Sequence, residues 1–167
     1  TLHNTLFPYT TLFRSEAFEL TDAQATALRE YVTGGGTLFV NAIGGSADFA
    51  DAARTTINRV LADTGAARAI VGQTSPILSG KCGEFRGPPF KKLHRTRDWI
   101  RLRDKPPPEP VEAWQVDDRI AVIFGPYGIH DTLDGHTPAG AMSYMPRSAR
   151  RLATNIVLLA LSRHVEP

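Results

Sequence analysis

The sequence predicts a doubly wound α/β fold with a mostly parallel sheet. The chain has 167 residues, enough for one domain of this class. Its residues are 42% hydrophobic and 22% charged, which is typical of a globular protein and not of a disordered one. Two amphipathic helical segments also flank a short, almost wholly apolar segment, with glycines between them. This order of elements is typical of a sheet covered by helices.

The amino-terminal half supplies the strongest local signals. Thr21 and Gln24 form a capping box, so a helix is predicted to begin after Thr21 and to end at the glycines of 34–36. Residues 37–43 are almost continuously apolar, which fits a strand covered on both faces. Apolar side chains at helical spacing then predict a second helix over residues 47–62.

Residues 73–110 are predicted to form a basic, proline-rich insertion. They contain nine lysines and arginines against four acidic residues, and they show little periodicity. Residues 75–79 indicate a weak strand. We expect a solvated, proline-stiffened loop. The alternatives are a surface that contacts phosphates and a surface that faces the upstream part of the protein or a partner.

Regular structure is predicted again from residue 111 onward. Residues 111–116 and 119–124 read as a hairpin joined at Asp117 and Asp118, and this hairpin is expected to form a mixed edge of the sheet. A last helix is predicted to begin near Pro146, with Leu152 and Ile156 on its buried face.

The first fifteen residues carry a signal of a different kind. Residues 5–15 resemble a peptide that recurs at the ends of unrelated metagenomic proteins and is translated from sequencing-adapter DNA. The resemblance implies that residues 1–15 are an artefact, that the domain occupies residues 16–167, and that the native amino terminus is lost. The alternative is a natural β-strand, since Leu6, Phe7 and Leu12 suit one. We expect residues 1–15 to contribute little to the fold.

Several blocks together resemble a bacterial family, domain of unknown function 4159. They are FELTD (18–22), LREYV (28–32), GGTLFV (35–40), GGS (44–46), DRIAVIF (118–124), YMP (144–146) and LATNI (152–156). The resemblance implies a three-layer, flavodoxin-like fold similar to class I glutamine amidotransferases, truncated here at its amino end. It also implies a place at the end of a larger bacterial protein of the cell envelope or periplasm, and no established activity.

Composition and candidate residues give little support to catalysis. The net charge is +2, so no nucleic-acid partner is expected, and no apolar run approaches the roughly 20 residues of a membrane segment.

Cys82 lies in GKCGE, which departs from the G-x-C-x-G nucleophile motif, and we expect a partly exposed loop thiol there. His130, Asp131, Asp134 and His136 lack ligand spacing, so neither a metal nor a cofactor is expected.

A ligand site, if present, is expected where the two strong strands end. In open α/β sheets, ligands bind beyond the carboxyl ends of strands. The candidate residues are Asn41, Gly44, Gly45, Ser46, Gly125 and Tyr127. The glycines allow close backbone approach, and the helix that follows offers N–H groups to a small anion. The alternative is that both loops are merely tight connections.

The sequence therefore favours a non-catalytic domain that binds a ligand or a partner. The partner is expected to be the upstream region of the same protein or another protein. The alternative function is a hydrolase or amidase whose catalytic groups are not identified.

Overall fold

In the computed structural model, a five-stranded sheet lies between two groups of helices. The structure describes residues 9–14 (as backbone), 17–90, 94–97, 111–133, 135, 137 and 139–162. The strands are β1 (Tyr9–Arg14), β2 (Thr37–Ala42), β3 (Ala67–Ala69), β4 (Lys81–Cys82), β5 (Phe85–Arg86), β6 (Glu112–Val116) and β7 (Arg119–Gly125). The helices are α1 (Asp22–Thr33), α2 (Ala47–Leu61), α3 (Pro76–Ser79), α4 (His130–Leu133) and α5 (Pro146–Leu161), with a 3-10 turn at Ile43–Gly45.

The sheet has mixed orientation, with the strand order β1-β2-β7-β6-β3. β1, β2 and β7 are mutually parallel, while β6 is antiparallel to both β7 and β3. β6 follows this direction because Asp117 and Asp118, both at positive φ, turn the chain back within two residues. The α/β class is confirmed. The prediction that the hairpin forms the edge is wrong, because β3 lies outside β6.

Each face of the sheet has its own apolar core. Leu38 and Val40 of β2 belong to the cluster beneath α1 and α2, and Phe39 between them belongs to the cluster beneath α3 and α5. Every residue of β2 is buried. The prediction of a strand covered on both faces is therefore confirmed, as alternating side chains require.

The predicted helix boundaries are also confirmed. Thr21 and Gln24 make both bonds of the capping box at the start of α1. The Ser46 side chain caps α2, and α5 begins at Pro146. On α5, Leu152 is 0% exposed and Ile156 is 4% exposed, so this stripe does face the core.

Residues 73–110 differ from the sequence prediction where they are described. Residues 75–79 do not form a strand, because Pro76 occupies the first turn of α3, where its fixed φ suits a helix. The β4–β5 hairpin follows and packs against α5. Residues 91–93 and 98–110, which carry much of the basic charge, lie outside the described part.

At the other end of the chain, β1 pairs with β2 through residues 9–14. Within the described residues, no helix has both the length and the apolar character needed to cross a membrane.

Candidate functional site

The two strong strands end at the same edge of the sheet. β2 and β7 are parallel, and Asn41 lies opposite Gly125 in their register. The turn at 44–46 and the loop at 125–127 therefore leave the sheet side by side. The predicted location of these loops is confirmed, while a ligand-binding role for them remains a prediction.

Asn41 joins these two loops through its side-chain amide. Its Nδ2 donates to the carbonyl oxygens of Gly125 and Tyr127, each at 2.8 Å. Its Oδ1 accepts from the backbone N–H groups of Ile129 and His130, each at 3.1 Å. An amide side chain has two N–H donors and an oxygen with two lone pairs, so Asn41 uses its full capacity internally. The residue is 0% exposed, and it fastens the end of β2 to the segment that leads into α4.

The glycine turn after β2 is covered by another part of the chain. Gly44 and Gly45 have φ of 62° and 73°. A Cβ on Gly45 would lie 2.8 Å from the Cβ of Met142, and the Met142 N–H donates to the Gly44 carbonyl at 2.9 Å. Any larger side chain at position 45 would therefore displace this contact as well as strain the backbone.

We call residues 141–145 the covering segment. It is held on one side by Gly128, whose N–H donates to the Met142 carbonyl at 3.0 Å and whose carbonyl accepts from Tyr144 at 2.9 Å. On the other side, the Thr96 N–H donates to the Ser143 carbonyl at 2.9 Å. These bonds fix the covering segment across the carboxyl edge of the sheet.

A buried polar pair reinforces the same place. The Ser143 hydroxyl donates to Oδ2 of Asp131, and both residues are buried. Among the described residues, Oδ1 of Asp131 has no hydrogen-bond partner. A Cβ on Gly128 would collide with both side chains, so the glycine is required for this close packing.

Accessibility divides the six candidate ligand residues into two groups. Gly44 and Ser46 are half-buried and accessible at the surface. Asn41, Gly45, Gly125 and Tyr127 are buried. The Tyr127 ring packs edge-on against Tyr144 with 6.5 Å between centroids, and burial raises the pKa of the Tyr144 hydroxyl. Of these six described residues, Gly44 and Ser46 alone are therefore open to a ligand, next to the exposed Ala47 and Asp48 at the start of α2.

Ser46 has a clear structural role at this surface. Its Oγ accepts from the Phe49 N–H at 3.3 Å, as an N-cap does. The sequence alone is compatible with Ser46 as a helix N-cap and with Ser46 as a ligand-binding residue. The two are compatible, since a cap occupies one N–H and leaves others of the first turn free to meet an anion.

Cys82 differs from its sequence prediction. It is not a partly exposed thiol but is 0% exposed in β4, with its Sγ 3.6 Å from the Asn155 carbonyl and 3.8 Å from that of Pro76. Burial raises the pKa of the thiol, and the nearby positive charge of Arg86 opposes this shift only in part. A protonated, enclosed thiol is a poor nucleophile.

Sequence reasoning missed Asn155, which is also fully buried. Its Nδ2 donates to the carbonyls of Ile77 at 2.9 Å and Pro88 at 3.1 Å, and so ties α5 to the segment around α3. The available signal was an asparagine on the apolar face of a predicted helix, between Leu152 and Ile156. A polar side chain in such a position needs buried partners.

The residues considered for a metal are only partly described. Asp131 is engaged by Ser143, and Asp134 and His136 lie outside the described residues. Within the described ranges, no three His, Cys, Asp or Glu side chains come together as metal ligands would.

The protein is an α/β domain with a mixed sheet. Residues 141–145 of the same chain cover the carboxyl edge of this sheet. The family model for Domain of unknown function (DUF4159) matches residues 3–161, and the chain belongs to this family. A comparison with curated proteins finds no match. The family match begins within the first fifteen residues, and their assignment to adapter DNA remains a prediction.

Proposed function

We propose that this domain binds a ligand or a partner and does not catalyse a reaction. In this proposal it is the C-terminal domain of a larger bacterial protein and has a flavodoxin-like fold of the class I glutamine amidotransferase type. The ligand site is the accessible surface of the 44–46 turn, at the carboxyl edge of β2 and β7. Gly44 and Ser46 contact a small anion there, and Asn41, Gly45, Gly125 and Tyr127 hold the two loops in place.

The observation that carries this proposal is the parallel register that sets Asn41 opposite Gly125. It brings two loops together beside the amino terminus of α2, a helix of 15 residues. Unpaired N–H groups and the helix dipole favour negative charge at such a place. A carboxylate or a phosphate is therefore the chemical class that we propose.

The absence of catalysis is supported by how the reactive groups are used. Cys82 is enclosed and its pKa is raised. The amide of Asn41 is saturated by four internal hydrogen bonds. Catalysis needs groups that can reach a substrate, and these side chains cannot do so without local unfolding.

One observation favours the alternative, a hydrolase or amidase. The Ser143 hydroxyl donates to Asp131, and His130 is the next residue in the chain. A hydrolytic triad uses the same three kinds of group, but with the histidine between the serine and the carboxylate, an order that the direct Ser143–Asp131 bond does not have. Ser143 is 0% exposed, however, so this chemistry would require the covering segment to open.

Titration of the full chain with orthophosphate and with acetate, followed by amide NMR, tests the proposal. We expect saturable shifts at residues 44–48. Ser46→Ala should weaken binding at least threefold, because the hydroxyl lies at the entry to the site. Thr21→Ala is the matched control, since it removes the equivalent cap of α1 and should leave binding unchanged.

Two results would contradict the proposal. One is the lack of saturable shifts at residues 44–48 with both anions. The other is turnover of an ester, amide or glycoside substrate that is lost in Ser143→Ala while the variant remains folded.

A further inference from the structure

Charge is distributed unequally between the two sides of the sheet. Described residues 17–63, which include α1 and α2, carry six acidic and three basic side chains. The helical layer on the opposite face carries two acidic and seven basic side chains over described residues 76–90, 94–97, 130–133 and 139–162. Its basic residues are Lys81, Arg86, Arg95, Arg97, Arg147, Arg150 and Arg151. One of its two acidic residues, Asp131, is buried, which leaves this surface strongly positive.

The positive charge is densest at the start of α5. Arg147, Arg150 and Arg151 stand three and four residues apart, so they share one face of the helix. Arg147 and Arg150 are exposed and Arg151 is half-buried. Within the described residues, none of the three side chains forms an ion pair or a hydrogen bond.

This arrangement is unfavourable for the isolated domain on two counts. Like charges at these spacings repel each other. The amino end of a helix is also its positive end, where acidic residues are stabilising and basic residues are not. The first turn of α5 contains no acidic residue. A feature that costs stability is a candidate for binding, because a bound anionic group would relieve both repulsions.

Residues 94–97 extend the same surface. The His94 carbonyl accepts from the Met145 N–H at 2.8 Å, and the His94 N–H donates to the Ser148 hydroxyl at 3.0 Å. This pairing places the exposed side chains of His94 and Arg97 on the segment beside the start of α5. We call His94, Arg97, Arg147, Arg150 and Arg151 the basic face.

Exposed apolar side chains lie on the same side of the sheet as the basic face. Met145, directly before α5, is 44% exposed, and Leu133, at the end of α4 packed against α5, is 39% exposed. They are two of the three large hydrophobic side chains exposed in the described part of the chain. Arginine and methionine are both enriched at protein–protein interfaces.

We infer that the basic face binds an acidic segment of a partner protein. Guanidinium groups pair with carboxylates through two hydrogen bonds, and Met145, directly before α5, supplies an apolar contact beside them. Single-stranded nucleic acid is less favoured, because three aromatic rings that the structure describes on this side of the sheet, those of Phe90, Tyr127 and Tyr144, are buried and cannot stack on bases. A membrane surface is less favoured because two partly exposed side chains do not make an apolar helix face. The inference rests on the proposed binding function and names the kind of partner.

The test uses the full chain and a fluorescein-labelled 15-residue peptide composed of glutamates with two leucines. Fluorescence polarisation at about 50 mM ionic strength, where screening is moderate, should show saturable binding. The variant Arg147→Glu/Arg150→Glu should bind at least tenfold more weakly. Its melting temperature should not fall, because acidic residues suit the start of a helix.

Lys81→Glu/Arg86→Glu is the matched control. It changes the net charge equally but lies in the β4–β5 hairpin, which packs beside the carboxyl-terminal half of α5 near Ser162. This control should retain binding within about twofold. Should the charge-reversed α5 variant fail to fold, Arg147→Gln/Arg150→Gln gives the same comparison without introducing new charge.

Three outcomes would overturn the inference: no saturable binding of the peptide, equal weakening by both double variants, or tighter binding of an oligothymidylate or of phosphatidylserine vesicles through the same arginines. None of these outcomes affects the anion titration at residues 44–48, which tests the proposed function separately. Conversely, turnover that depends on Ser143 would reject the proposed function whether or not the peptide binds.

Discussion

The two faces of the sheet are assembled by different physical means. α1 and α2 cover one face through an apolar cluster that includes Phe49 and Ile57, and none of the buried polar side chains of the described residues lies on either helix. The opposite face combines α5, which has 16 residues, with elements of only two to four residues, and buried polar residues hold these short elements in place. Asn155, Asp131 and Ser143 belong to that side, and Asn41 reaches it from the end of β2. Helices with long apolar stripes need little else to pack, whereas short irregular segments leave backbone groups that only specific side chains can satisfy.

The largest effect is expected from removing the side chain of Asn41. In Asn41→Ala, two carbonyls and two N–H groups lose their partner in a buried place, and each unsatisfied group is costly. We expect a loss of about 4 kcal/mol in the free energy of unfolding, measured by urea denaturation.

Asn58→Ala on the exposed side of α2 is the control, and it should change stability by less than about 0.5 kcal/mol. If Asn41→Ala lowers the free energy of unfolding by less than about 1 kcal/mol, buried polar side chains do not hold the elements on the α5 side of the sheet in place.

A matched pair of aliphatic truncations compares the apolar parts of the two faces. Leu152→Ala beneath α5 and Ile57→Ala beneath α2 each remove a buried side chain. Each should cost about 2–5 kcal/mol by chemical denaturation, because lost burial and a residual cavity add together.

The two costs should be similar, since both faces contain a packed apolar core. A negligible effect of Leu152→Ala alone would show that α5 is held only by its polar contacts. That result would make the two faces more different than the structure indicates.

Local sequence signals were sufficient to predict α1 and α2, the helices that cover one face of the sheet. The capping box at Thr21 and the amphipathic periodicity of residues 47–62 are properties of neighbouring residues, and they predicted α1 and α2 almost to their ends. Asn41 was also selected from the sequence, but as a candidate ligand-binding residue. Its partners lie 84 to 89 residues away, so no local pattern reveals that its amide is used internally.

The elements on the α5 side of the sheet were harder to predict, because they are short and depend on distant contacts. β3 has three residues and α3 has four, too few for a periodicity to be read. The burial of Cys82 depends on α5, whose Asn155 lies 73 residues away. Such elements take their structure from tertiary contacts and not from intrinsic propensity.

The smallest stability effect is expected at the outer edge, beside β2. Deletion of residues 1–15 removes β1, and we expect a loss below about 2 kcal/mol because the adapter resemblance implies a segment foreign to the fold. Thermal and urea unfolding of the shortened chain measure this directly. A greater loss would identify residues 9–14 as an integral strand and would reject the adapter interpretation.

Native-state hydrogen exchange at the carboxyl edge tests the central claim most directly. Asn41 and the covering segment close this edge, so the amides of Ile129, His130 and Tyr144 are bonded to acceptors on the buried residues Asn41 and Gly128. They should exchange within about tenfold of the rate of Val122 in the middle of β7, since they would then open only with the core. Exchange of these three amides at the rate of an unstructured peptide, with Val122 still protected, would contradict the account.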